Sequence, residues 1–306
     1  MSSEDCKTNT KLKSKFFPGN TANGNVKIHF YTAGSKKNQL VVLLHGLGAT
    51  ASLLECDILE LSKYYYVVAP DLRGFGESDK PTTTSQYSFS IFATDVREIL
   101  GFLKVKNPIV MGHSIQSFTA VVYYFQYLND PDYAIVDLIL NAPAVANIFG
   151  PNIGTLIVAI EGGNLETIAS VFVEQTLNVS CNCETKGLNK VKKFVYQQAL
   201  TGTSFSYQTV LGLLSSVNFF PPNIPNFTQI TVPTLLIGGS NDIVVLPTAL
   251  FTLALQIPNS FVVELRGAPH FNFSTNYKAL AKQIHNFIIS KNTKCSFCTG
   301  IKSSDC

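Results

Sequence analysis

Short runs made almost wholly of apolar residues recur along this chain, and most are followed by a stretch with helical spacing. They are Leu40 to Leu44, Tyr66 to Ala69, Ile109 to Met111, Val136 to Leu140, Thr234 to Ile237 and Phe261 to Leu265. A strand with no polar face has to be covered on both sides, which is the situation of a parallel sheet flanked by helices. Between the runs, Leu54, Ile58 and Leu61 keep helical spacing, and Phe92, Val96, Ile99 and Leu103 follow at steps of four, three and four. Phe118, Val121, Val122, Phe125 and Leu128 line another helix that ends at Asn129-Asp130-Pro131, and two more are expected at about 247–256 and around Leu280 to Ile288. The fold class expected is α/β, with a mostly parallel central sheet and helices on both faces.

The rhythm breaks between about residues 145 and 231. That stretch carries two apolar helical patches, at 148–160 and 165–177, and leaves through the proline-rich FFPPNIPNF. A mainly helical insertion is expected there, with the α/β core at 25–144 and 232–291. Residues 1–24 show no periodicity and read as a mobile tail, as does the polar 292–306. The 306 residues, 46% of them hydrophobic, suffice for one large core. Val26 to Thr32 alternates enough to be a half-buried strand.

A net charge of +3 provides no footprint for nucleic acid. The N-terminus lacks the apolar segment of a secretory signal, and no run of about 18 apolar residues could span a bilayer. Seven cysteines, an odd number spread irregularly, do not read as a disulfide framework. A cytoplasmic protein is therefore expected, and a glycan on the Asn272 sequon would crowd the site described next. Cys181-x-Cys183 and Cys295-x-x-Cys298 do not complete a zinc site, so no metal is expected.

Chemistry concentrates in IVMGHSIQSF, Ile109 to Phe118, where a buried strand meets a helix through Gly112, His113 and Ser114. A serine on such a turn has an accessible hydroxyl beside the free N–H groups of a helix start. A serine nucleophile needs a base, a group that orients the base, and donors for the oxyanion. Of the five histidines, His270 in the loop RGAPHFNF is best placed as the base, while His29 and His285 read as structural or surface residues. Asp242, in the loop GGSNDIVV, is the candidate acid, and the order Ser114, Asp242, His270 suits a triad on this kind of sheet. In the turn His45-Gly46-Leu47 the Leu47 N–H is one oxyanion donor, and the N–H of Ile115 is the second. No cofactor is needed.

The segments HGLGAT (45–50), PDLRGFGESDKP (70–81), GHSIQS (112–117), GGSNDIVV (238–245) and GAPHFNF (267–273) resemble, in this order, those of the α/β-hydrolase superfamily. The resemblance covers about residues 26–290 apart from the insertion, which sits where that family carries its cap. It implies that Asp71 is structural and that His45 and His113 shape loops by hydrogen bonding. Some members take the acid from the end of the preceding core strand, but that place here is near Asn141, which supports Asp242. A serine nucleophile argues against the epoxide-hydrolase and dehalogenase branches. The chain departs from the family pattern at Gln116, where a small residue is usual; a wider turn there would displace the Ile115 N–H. The function expected is a serine hydrolase of the carboxylesterase or lipase type, acting through an acyl-enzyme on a small to medium apolar ester-like substrate. The alternative is a ligand-binding relative with weak or no turnover because of Gln116. Oligomeric state is not legible.

Overall fold

In the computed structural model, which describes residues 11–144 and 226–290 together with Glu166, Ser170, Val173, Leu177, Lys192, Lys193 and Tyr196, the apolar runs form one sheet, five of them inside it and Phe261 to Leu265 at its half-buried edge. Its strands are Lys13–Phe17 (β1), Ile28–Ala33 (β2), Leu40–Leu44 (β3), Tyr66–Pro70 (β4), Ile109–His113 (β5), Asp137–Asn141 (β6), Thr234–Gly239 (β7) and Ser260–Leu265 (β8). They lie in the order β1-β2-β4-β3-β5-β6-β7-β8. The pairs made by β2 are antiparallel, and β4 through β8 pair in parallel.

The helices are Glu55–Leu61 (α1), Phe89–Leu103 (α2), Gln116–Gln126 (α3), Thr248–Ala254 (α4), the single turn Asn272–Thr275 (α5) and Tyr277–Ser290 (α6). Their burial explains why the strands lack a polar face. Val42 and Leu44 of β3 join a core with Phe92 and Val96 of α2 and Val121 of α3. Val41 and Leu43, pointing the other way, join a second core with Ile58 of α1 and Ile284 and Phe287 of α6. The two cores are the two faces of the sheet.

The sheet order reverses at β3. From β3 the chain goes by α1 to β4 on one side, while β5 lies on the other. The loops leaving β3 and β5 thus part and open a crevice at the carboxyl ends of the strands, the usual ligand position in open α/β sheets. His45 to Thr50 and Ser114 sit at that crevice.

The N-terminal segment differs from the mobile tail expected for 1–24. Lys13–Phe17 pairs with Ile28 to Thr32 of β2, and Asn23 is buried, donating to Val26 O at 2.9 Å and Asp95 Oδ1 at 3.0 Å. Only Phe17 of this strand is buried, so its sequence shows no period; pairing with the open edge of β2 makes it a strand. Residues 1–10, the C-terminal tail at 292–306 and nearly all of the cap at 145–231 lie outside the described residues. Val173 and Leu177 from that insertion are buried in the same core as Met111 and Phe271. Among the described residues no helix is long and apolar enough to cross a membrane. Cys56 is disulfide-bonded, which removes the cysteine argument for a reducing compartment.

Candidate active site

Ser114 follows β5 directly, with φ of +55°, a left-handed conformation that a side chain adopts at a cost of about 1–3 kcal/mol. The turn is tight because Gly112 has no side chain. A Cβ there would stand 2.4 Å from Gln116 O and 2.7 Å from Ser117 Cα. The close approach is made by the backbone of Gln116, not its side chain, so the wider turn that Gln116 threatened is absent. Instead the Gln116 side chain is fully buried, its Oε1 accepting from Thr119 Oγ1 at 2.5 Å and its Nε2 without a partner.

His270 arrives from the loop after β8, and Asp242 from the loop after β7. His270 Nε2 lies 2.9 Å from Ser114 Oγ, and Nδ1 lies 2.7 Å from Asp242 Oδ2. The carboxylate can only accept, so Nδ1 carries the hydrogen and Nε2 is left to accept the Ser114 hydroxyl proton. The other carboxylate oxygen, Oδ1, accepts from Val244 N and Val245 N, both at 2.9 Å. Asp242 is thereby held by two backbone amides with one oxygen free to aim at the imidazole. All three residues are buried: Ser114 is 8% exposed, Asp242 3% and His270 2%.

Of the expected oxyanion donors, Ile115 follows Ser114 directly and Leu47 follows Gly46, and both are half-buried. Gly46 brings the β3 loop against the nucleophile; a Cβ on it would lie 3.2 Å from Ser114 Cβ and 2.8 Å from the His113 ring. His45 shapes this loop by hydrogen bonding, as expected. Its Nδ1 donates to Gly46 O at 2.9 Å, and its Nε2 accepts from Leu72 N at 3.1 Å. Burial pushes the His45 ring below its ordinary pKa, against the opposing charge of Asp71 and the Gly46 carbonyl.

His113 meets its expectation only weakly, through a contact with the Asn141 backbone. Neither ring nitrogen makes a hydrogen bond of good geometry; the ring is fixed by packing on His270 (4.9 Å between centroids), Phe271 and Phe273. Burial, then the neighbouring His270, hold it well below the usual histidine range, while the Asn141 backbone opposes them. It is a neutral ring wedged behind the base.

Two residues went unassigned in the sequence. Asn141, at the end of β6, and Asn272, two residues past His270, exchange side-chain hydrogen bonds of 2.8 Å in both directions and are fully buried. The Asn272 sequon is therefore sealed inside the fold and has no bearing on compartment. Asp71 braces the loops around it and stands apart from the Ser114 relay, as the resemblance implied: it accepts from Ala51 N at 2.7 Å and Glu77 N at 3.0 Å. His285 accepts from or donates to Tyr65 Oη at 2.8 Å beside a cavity of about 460 Å³. That cavity, bordered by Gln39, Ile109 and Asp137, opens at the amino ends of β3, β5 and β6, away from Ser114.

Comparison with known proteins agrees with this architecture. The profile of the Hydrolase_4 family, described as serine aminopeptidase, S33, matches residues 35–271. Epoxide hydrolase 3 of Xenopus tropicalis is 26% identical over 243 residues, 71% of this chain but only 62% of that protein. The chain thus spans less than two thirds of that relative's length. The 2-(acetamidomethylene)succinate hydrolase of Mesorhizobium japonicum is 24% identical over 279 residues, 87% of this chain and 92% of that protein. Among solved structures, a thermophilic esterase from Thermogutta terrifontis superposes with a TM-score of 0.75 at 19% identity, covering 92% of this chain and 100% of that one. The family match spans the sheet from just before β3 to the His270 loop, and the chain belongs to this family of the α/β-hydrolase superfamily.

Proposed function

We propose that the protein is a serine hydrolase that cleaves an ester-type bond through an acyl-enzyme. The observation that carries this reading is the continuous relay Ser114 Oγ, His270 Nε2, His270 Nδ1, Asp242 Oδ2, with contacts of 2.9 and 2.7 Å. Ser114 Oγ attacks the substrate carbonyl as its proton passes to His270 Nε2, and Asp242 stabilises the imidazolium without taking the proton. The oxyanion is held by the N–H groups of Leu47 and Ile115. The imidazolium then protonates the leaving alcohol; a water attacks the acyl-enzyme, giving its proton to Nε2, and Ser114 recovers its proton as the acid departs.

Apolar groups favour an apolar substrate. Ile115 packs against Ala144, Val244 and Val245 next to the nucleophile, and the insertion is rich in Ile, Val, Leu and Phe. Epoxide hydrolase relatives raise the question of an epoxide substrate. The serine at the nucleophile position favours the ester reading, because an alkyl–enzyme ether, unlike an acyl ester, resists hydrolysis. Gln116 motivates the second reading, a ligand-binding relative, yet its buried side chain leaves the turn tight, which favours turnover. The disulfide at Cys56 favours a compartment outside the reducing cytosol.

A fluorophosphonate probe together with p-nitrophenyl esters of increasing chain length tests the proposal. Labelling at Ser114 and turnover, both lost in Ser114→Ala, are expected. Folded protein that neither labels at Ser114 nor turns over any ester would sink the enzyme reading, and turnover of epoxides alone would replace the ester substrate.

A further inference from the structure

Toward the β1 edge of the sheet, a second serine, histidine and aspartate lie in line across β1, β2 and the end of β4. Ser14 Oγ is 2.9 Å from His29 Nε2, and His29 Nδ1 is 2.8 Å from Asp71 Oδ2. These distances match those at Ser114, although the residues come from different elements. In the β1–β2 register Ser14 faces Tyr31 and Phe16 faces His29, so Ser14 is the diagonal neighbour of His29 on the same side of the sheet. The His29 ring is clamped by Phe16 at 5.0 Å and Tyr31 at 4.8 Å between centroids.

The parts are arranged as a base and its orienting acid require. Asp71 is fixed by backbone amides, Ala51 N on Oδ1 and Glu77 N on Oδ2, the oxygen that also meets His29 Nδ1; Asp242 is likewise held by two amides, both on Oδ1. Burial alone would raise its pKa, but the His29 hydrogen bond, the His45 ring and those two amides outweigh burial and hold it below the usual range. The carboxylate is thus ionised and accepts at Nδ1, which leaves Nε2 to accept the Ser14 hydroxyl proton. Glu77 Oε1, 3.9 Å from Nε2, adds negative charge where an imidazolium would form. His29 is fully buried while Ser14 is exposed at the sheet edge, so a reagent in solution reaches the serine and not the base.

We propose that Ser14 is a second nucleophilic serine, served by His29 and Asp71, that accepts acyl or phosphonyl groups from activated esters and organophosphonates. With an aryl ester, Ser14 Oγ bonds to the carbonyl carbon while its proton moves to His29 Nε2. The bond from carbon to the aryl oxygen breaks, and the leaving phenoxide takes that proton, yielding O-acyl-Ser14 and a phenol. Ser14 lies within a strand, not at a helix start beside a glycine-rich turn. It lacks the amide donors expected at Ser114, so the reaction is slower there by about 10² to 10³ and the adduct persists.

The test uses the full chain carrying Ser114→Ala, treated with p-nitrophenyl acetate or a fluorophosphonate and mapped by peptide mass spectrometry. Mapping separates Ser14 from the acylated lysines 13 and 15 beside it. Ser14 is expected to be modified about 10²-fold faster than the exposed Ser85, the scale of general-base assistance. The Ser14 adduct disappears in Ser14→Ala, which changes only an exposed position, and slows to the Ser85 rate in folded His29→Gln. If His29→Gln does not fold, the comparison of Ser14 with Ser85 decides. Modification of Ser14 no faster than Ser85, or none, overturns the proposal. Labelling of Ser114 in the unaltered chain is read in the same maps, so the two sites fail or hold separately.

Discussion

Asn141 and Asn272 hold each other through two side-chain hydrogen bonds of 2.8 Å, joining the end of β6 to the loop that carries His270. Each amide satisfies the other in a fully buried setting, so removing one strands its partner.

Asn272→Ala is accordingly expected to cost about 1–3 kcal/mol in urea unfolding, the scale of an unsatisfied buried polar group. Because the pair anchors the base and touches no substrate, kcat should fall while KM for a p-nitrophenyl ester changes little. A KM rise with unchanged kcat would show that the pair has no hand in placing His270.

Asp242→Asn keeps the shape of the orienting residue but favours the wrong tautomer of His270. A loss in kcat of about 10⁴ is expected, with residual activity above the uncatalysed rate from the oxyanion donors. The check is steady-state hydrolysis of a short p-nitrophenyl ester; a loss under tenfold would remove Asp242 from the relay.

The elbow makes a contrast between two neighbours. Gly112→Ala places a Cβ 2.4 Å from Gln116 O, which must move the α3 start and with it the Ile115 N–H. A kcat loss of about 10² to 10³ is expected, the value of one oxyanion donor. Gln116→Ala removes a side chain that plays no part in the close approach, so kcat should stay within about tenfold of its starting value. Equal losses for both variants, measured on one ester, would contradict this reading of the turn.

Asp57, on α1 next to the disulfide-bonded Cys56, is 1% exposed and neither carboxylate oxygen has a hydrogen-bond partner of good geometry. Burial pushes its carboxyl well above the usual range, its own backbone N–H opposes this, and the Glu60 charge adds to it. Below the unfolded-state pKa of about 4 both states are protonated and there is no penalty. As pH rises above that, the unfolded chain releases a proton that the folded one retains, so stability falls, by about 1.4 kcal/mol for each unit of displacement. Asp57→Asn cannot ionise. Relative to it, the unaltered protein should lose stability between pH 4 and pH 7 in urea titrations; a constant difference would mean that Asp57 is ionised in the fold.

Much of the fold and site was legible along the chain. Six apolar runs implied the covered parallel sheet because such residues cannot tolerate water on either face, and helical spacing between them placed the covering layers. Residue types in order nominated Ser114, Asp242 and His270, since few groups can serve as nucleophile, acid and base. Tertiary structure alone decided the remainder. β1 exists because β2 offers an open edge, a pairing that leaves no period in its own sequence. His113 is held mainly by rings and only weakly by the Asn141 backbone, because the rings come from a loop 157 residues away, at His270 and beyond. Gln116 looked obstructive until the backbone showed its side chain turned into the core. The amide pair, and the Ser14–His29–Asp71 line, join residues far apart in the chain. Local sequence encodes propensity and burial; a hydrogen bond between distant side chains depends on where the sheet sets them down.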